Sequence, residues 1–212
     1  MSETVDFIVI GAGIAGASAA YELASDSKVV VLERESQPGY HTTGRSAALY
    51  TEVYGNRAIR ALTSGSRAFF ESPPAGFTEH PLLSPRGTLL IGRADQEGSL
   101  AVALDEGLRT VDAVSMIGAD EVMRRIPFLK PGYAVGAVWE PDARDMDVHA
   151  IHQGFLRGLR ARGGKVVCDA EVIGLSADGD WTVATRAGTF KAPVVVNAAG
   201  AWADVVARLA GA

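Results

Sequence analysis

The chain has 212 residues, 48% hydrophobic and 21% charged, enough for one globular core with or without a small lobe and too apolar for a disordered segment. Its formal net charge of -5 argues against a nucleic-acid partner, which needs clustered positive charge. The single cysteine, Cys168, can form no intrachain disulfide and reads as an inert thiol on an apolar strand, and the histidines, even His149 and His152 one helical turn apart, lack the neighbouring ligands of a metal site, so none is expected.

The apolar run from Phe7 to Tyr21 follows an acidic start, Glu3-Thr4-Val5-Asp6, and is glycine-rich and too short to span a bilayer. Neither a signal sequence nor a transmembrane segment is read there, and a cytoplasmic location is expected. Residues 5–10 form a β-branched strand that meets Gly11-Ala12-Gly13-Ile14-Ala15-Gly16, and residues 17–24 have the small side chains of a close-packed helix. Residues 28–32 are a strand suited to burial on both faces, which completes one βαβ unit. Asn56 is positioned to cap a helix carrying Ile59, Leu62, Phe69 and Phe70, ending before Pro73-Pro74. Strands are expected next at 88–91 and 134–139, with helices around 100–108 and 120–126, all in a segment inserted into a nucleotide-binding domain. Asp147 caps a helix with the core-facing stripe Val148, Ile151, Phe155 and Leu159, closed by Gly163-Gly164. Strands at 166–168, 172–175, 181–185 and 189–192 follow, the second and third turned by Asp178-Gly179-Asp180. A buried strand at 193–197 then leads through a small-residue turn into a last helix ending at Leu209.

The glycine turn carries chemistry. Gly11 permits a tight turn, Gly13 removes a Cβ so that a pyrophosphate can approach the backbone, and Gly16 lets the helix pack closely on the strand. The helix start then presents free N–H groups and the positive end of its dipole to the phosphates. Glu33 ends the second strand about 20 residues on, where a carboxylate accepts hydrogen bonds from both ribose hydroxyls and disfavours the 2′-phosphate of NADP. NAD and FAD both fit these residues. The segment from Pro38 to Ala48, dense in glycine and hydroxyls and carrying Arg45, favours FAD, because it offers donors to wrap a long anionic cofactor.

Gly11 to Gly16, Val31-Leu32-Glu33-Arg34-Glu35, Gly44-Arg45-Ser46-Ala47-Ala48 and the run from Val196 to Trp202 resemble the D-amino-acid oxidase superfamily of FAD-dependent oxidoreductases. Longer blocks, such as Gln37-Pro38-Gly39-Tyr40 and His152-Gln153-Gly154-Phe155-Leu156, resemble its bacterial D-arginine dehydrogenases, and together they span nearly the whole chain. The resemblance implies an α/β fold: a Rossmann-like FAD-binding domain of the glutathione-reductase type over residues 1–75 and 146–212, with an α+β substrate-domain segment over 76–145. It implies that Gly11, Gly13, Ala15 and Gly16 face the FAD pyrophosphate, that Glu33 and Arg34 meet the adenosine, and that Val172 touches the adenine through its backbone. Thr42, Thr43, Gly44, Arg45, Ser46, Ala47 and Ala48, with Leu49 next in line, would run beneath the ribityl chain and flavin, and Ala199 and Gly200 would pass near the dinucleotide.

The activity implied is oxidation of the CH–NH group of a D-amino acid, with hydride passing from the α-carbon to flavin N5 and the imine hydrolysed to a 2-oxo acid and ammonia. Tyr54 matches an active-site tyrosine that contacts substrate. Leu49 stands where those relatives have a histidine, and Thr88 where they have a glutamate that meets a guanidinium, so a substrate with a less basic or apolar side chain is expected. The expected partners are therefore a small amino acid or amine and an electron acceptor, either oxygen or a quinone. Members of the superfamily continue beyond the equivalent of Ala212 with the arginine that clamps the substrate carboxylate, so the chain is expected to be the N-terminal part of a longer reading frame. Three alternatives accompany this reading: an FAD-binding subunit or fragment without catalysis of its own, a glycine- or sarcosine-type amine oxidase, and an NAD-binding module.

Overall fold

Val29-Val30-Val31-Leu32 is apolar at every position, a pattern that needs cover on both faces of a sheet, and all four residues are buried in the computed structural model, which describes residues 3–212. In chain order the first elements are β1 (Glu3–Thr4), β2 (Phe7–Ile10), α1 (Ile14–Leu23) and β3 (Val29–Leu32). A 3₁₀ turn at Thr43–Arg45 precedes β4 (Leu49–Tyr50), α2 (Arg57–Glu71), β5 (Leu83–Pro85), β6 (Thr88–Gly92) and α3 (Glu97–Leu108). Next come β7 (Ser115–Gly118), α4 (Ala119–Arg125), β8 (Gly136–Glu140), β9 (Arg144–Met146) and α5 (Val148–Ala161). The remaining elements are β10 (Lys165–Val167), β11 (Val172–Asp178), β12 (Asp180–Thr185), β13 (Gly188–Ala192), β14 (Val194–Asn197) and α6 (Ala203–Leu209).

Two compact units result: one takes the chain up to Ser46, Ala75–His80 and Val148–Ala212, and the other takes Ala47–Pro74 and Pro81–Asp147. These boundaries differ from divisions at 75/76 and 145/146. Ala47–Pro74, with α2, groups with the second unit, whereas Phe77 belongs to the first because its ring packs edge-on against Tyr21 and Phe155.

The first unit is built on a parallel sheet in the order β10-β3-β2-β14. In the centre, Ile8 lies opposite both Val30 and Val195. Ile8, Ile10, Val30 and Leu32 bury one face against Val183, Phe190 and Val206. Val9, Val29 and Val31 bury the other against Ala20 and Ala24, at the end of α1, and Leu159 of α5. The small residues of α1 are what allow this close approach, with Ala17 and Ala20 fully covered. Antiparallel β11, β12 and β13 form the expected meander, turned by Gly179 at φ +75°, and β1 adds to it parallel to β13. Expectation and structure differ at the chain start. Asp6 interrupts a strand expected from Val5, because its carboxylate accepts the Lys28 N–H at 2.7 Å.

The second unit holds two antiparallel sheets, β4-β9-β5 and β6-β8-β7. Leu100 of α3 packs with Val138 on one face of the latter, and Val122 of α4 with Ala137 on the other. Asn56 caps α2 as expected, its Oδ1 accepting the N–H groups of Ala58 and Ile59 at 3.0 and 3.1 Å. The helix stops at Glu71, before Pro73-Pro74. Among the described residues no helix is long and apolar enough to cross a membrane.

Candidate cofactor site

Gly11 leaves β2 at φ +102°, and a Cβ there would stand 2.5 Å from the Ala198 carbonyl oxygen. At Gly16 a Cβ would overlap the Gly11 carbonyl oxygen, so the third glycine is what lets α1 rest on the turn. Gly13 precedes α1 in extended conformation, and Thr43 Oγ1, 3.3 Å from its ideal Cβ position, is the nearest neighbour. The Ile14 N–H donates to that hydroxyl at 2.9 Å, while the N–H groups of Ala15 and Gly16 have no acceptor within the helix. Ala12 is held at both polar groups: its N–H donates to Glu33 Oε2 at 2.8 Å, and its carbonyl accepts from His152 Nε2 at 2.8 Å.

Glu33 lies buried at the end of β3, and its other oxygen accepts the Glu35 N–H at 3.0 Å. Each carboxylate oxygen keeps a further acceptor position for a ligand hydroxyl. Glu33 forms part of the wall of a cavity of about 320 Å³, and of the expected residues Gly11, Gly13, Ala15, Arg34, Thr42, Thr43, Val172, Ala199 and Gly200 line it too. Arg45 and Ser46 line a second, more open cavity of about 390 Å³ that shares Thr42 with the first. Gly16 is buried beneath the turn, and Gly44 is used structurally, donating its N–H to the Gly39 carbonyl at 2.7 Å. Ala47, Ala48 and Leu49 belong to the second unit, where the Ala48 carbonyl accepts the Met146 N–H at 3.1 Å and Leu49 pairs with Asp145. In that unit Tyr54 is 73% exposed, and Thr88 opens β6 opposite Glu140.

Sequence reasoning passed over several residues of the first cavity. Trp202 packs against both the Arg34 guanidinium, 4.4 Å from its ring centre, and the His41 ring at 4.6 Å. Glu35 ties both side chains, accepting from His41 Nε2 at 2.8 Å and Arg34 Nε at 2.9 Å, and the His41 contact, followed by Arg34, draws its carboxyl below the ordinary value. Trp202 ends the run from Val196, and His41 lies inside the hydroxyl-rich segment, but neither residue type by itself signals a nucleotide contact. Cys168 is partly buried, and burial, then the neighbouring Glu33 and Asp169 charges, push its thiol up, away from reactivity. Among the described residues no group of three or more His, Cys, Asp and Glu could hold a metal ion.

The family described as DAO, FAD dependent oxidoreductase, matches residues 6–212. The chain belongs to this family. L-2-hydroxyglutarate dehydrogenase of Escherichia coli (strain K12) is 25% identical over 226 residues, covering 97% of this chain and 50% of that protein. Glycine oxidase of Bacillus licheniformis is 28% identical over 226 residues, covering 100% of this chain and 58% of that one. L-alpha-glycerophosphate oxidase from Mycoplasma pneumoniae, solved with FAD bound, superposes with a TM-score of 0.85 at 20% identity over 99% of this chain and 58% of its own, a likeness of fold. The chain thus spans about half the length of the curated relatives it matches.

The family cofactor is FAD, and the cavity suits it. In its wall stand a carboxylate with spare acceptor positions, the helix-start residue Ala15 with its N–H and Gly13 without a Cβ, groups that a ribose and a pyrophosphate require.

Proposed function

We propose that the chain carries the FAD site and part of the substrate domain of an enzyme that oxidises the CH–NH group of a D-amino acid, with imine hydrolysis giving a 2-oxo acid and ammonia. The observation that carries the cofactor half is Glu33, buried in the cavity wall and bonded to the glycine turn. Bound FAD supplies a two-electron acceptor. In this reading Glu33 accepts the ribose hydroxyls, Arg34 and Val172 flank the adenine, and the N–H groups of Gly13, Ala15 and Gly16 meet the pyrophosphate. Thr42, Thr43, Arg45 and Ser46 follow the ribityl chain. Tyr54, Leu49 and Thr88 are the substrate contacts, with Tyr54 offering a phenol to the substrate. Thr88 and Leu49 bring no charge, which favours a side chain less basic than arginine. The first unit is the FAD-binding part, the second the substrate part, and the cytoplasm the place of action.

The kinship with glycine oxidase supports amine chemistry. That with L-2-hydroxyglutarate dehydrogenase favours a second reading, oxidation of a CH–OH group. Two measurements decide. The chain is incubated with FAD, desalted and scanned for flavin absorbance beside Glu33→Ala; retention that the variant loses is expected, and equal retention would remove Glu33 from the site. A family-length, FAD-loaded form is then mixed anaerobically with D-alanine, D-leucine, D-arginine and 2-hydroxyglutarate. Faster flavin bleaching by the first two is expected, dominance of D-arginine would overturn the side-chain assignment, and bleaching by the hydroxy acid alone would establish the second reading.

A further inference from the structure

Glu33 fixes the N–H of Ala12, and the opposite side of that residue is fixed by an imidazole. His152 stands on α5 with only 3% of its surface exposed, and its Nε2–H donates to the Ala12 carbonyl at 2.8 Å. Because the peptide is planar and trans, the Ala12 carbonyl and the Gly13 N–H point to opposite sides. Holding the carbonyl against α5 therefore turns the Gly13 N–H away from α5. The same ring supports the cofactor loop: Gly39 sits over it at φ +74°, so close that a Cβ there would come 2.8 Å from His152 Cε1. Gly39 in turn accepts the Gly44 N–H, so the segment that carries Thr42 and Thr43 closes on this imidazole.

Packing alone does not account for a histidine here. A leucine would fill the space and leave the Ala12 carbonyl buried without a donor. The charged and titratable groups that face the ring are His149, one turn earlier on α5, and Glu33 from β3, and Gln153 Nε2 lies 3.5 Å from Nδ1. Burial, the largest influence, favours the neutral ring, and the Ala12 bond then requires its proton on Nε2.

We propose that His152 is a positioning residue for FAD: by bonding the Ala12 carbonyl and supporting Gly39, it sets the glycine turn and the hydroxyl-rich loop in their binding geometry before the cofactor arrives. This rests on reading Gly11–Gly16 as the pyrophosphate cradle.

The test is FAD affinity, read by flavin fluorescence on the 212-residue chain, for the wild type, His152→Leu and His152→Gln, with circular dichroism to follow folding. Gln can place an N–H near the Nε2 position. His152→Leu should bind FAD about tenfold more weakly, and His152→Gln should stay within about threefold of the wild type. Nitrogen-15 NMR of the apo wild type should find the His152 proton on Nε2. Equal affinity of the folded Leu variant, a Gln variant as weak as Leu, or a proton on Nδ1 would overturn the inference. If His152→Leu does not fold, the Gln variant and the tautomer decide. A wild-type chain that folds but takes up no FAD would overturn the cradle reading and this inference with it, whereas loss of the effect with FAD still bound would overturn the inference alone.

Discussion

Glu33 uses one acceptor position of each oxygen on the protein itself, for the N–H groups of Ala12 and Glu35. Its role in the apo fold is therefore separable from any role toward ribose. Glu33→Gln must turn an amide N–H toward one of these donors, so the apo chain is expected to lose about 1–3 kcal/mol, seen as a lower chemical-denaturation midpoint without FAD present. His152 makes a prediction of the same pH sense as an ion-paired carboxylate, in a higher window. Burial holds its folded-state value below the ordinary 6.5, so the unfolded chain takes up a proton that the folded chain refuses. Stability should be whole above pH 6.5 and fall as pH drops from 6.5 toward the lowered value; urea titrations across that window should show the loss, and His152→Gln should flatten it. Buried Glu140 contributes in the reverse sense. Desolvation raises its carboxyl above 4.5 despite hydrogen bonds from Thr51 Oγ1 at 2.6 Å and the Glu52 N–H at 3.1 Å, so its share is whole below 4.5 and is lost as pH rises through the raised value.

The elements with a strong local pattern were legible. β3 is apolar throughout, the glycines mark the turn, and Asn56 with Pro73-Pro74 brackets α2. Asn56→Ala should cost about 1 kcal/mol in a denaturation experiment, because two N–H groups lose their acceptor. Four strands of the second unit were not legible, for a physical reason. β4, β5, β7 and β9 are two to four residues long, and Arg144-Asp145-Met146 or Leu83-Ser84-Pro85 shows no apolar alternation. β1 is likewise invisible, since Glu3 and Thr4 join the meander by backbone bonding alone. The site divides the same way. Glu33 and the glycines announce themselves by spacing, but the partner of His152 is a carbonyl 140 residues distant, and its helix reads as an apolar stripe that omits it. Within the glycine turn the three positions differ in what they forbid. Gly16→Ala and Gly11→Ala should unfold or strongly destabilise the apo chain, whereas Gly13→Ala, opposed only by the Thr43 hydroxyl, should fold and be selectively poor in FAD binding; melting curves with and without FAD separate the two classes.

At the scale of the whole molecule, the residues lining the first cavity come from stretches far apart in sequence, near positions 10–15, 32–43, 170–172 and 198–209, yet all lie in the first unit. Hydrogen exchange should therefore slow in these stretches when FAD is added and stay unchanged in β6 and β8; uniform slowing over both units would contradict a site confined to the first. Ligand at about 100 times its Kd would add about 2.7 kcal/mol to the stability of what it binds. The position of β2 has a further consequence, for synthesis. Its two neighbours are β3, which follows almost at once, and β14, which comes after nearly all the rest of the described chain. A ribosome adding about 5–20 residues per second leaves the β14 side of β2 open for on the order of ten seconds or more. Throughout that interval the nascent chain displays Phe7–Ile10 as an apolar edge, the kind of unpaired strand that invites pairing with another chain until β14 covers it.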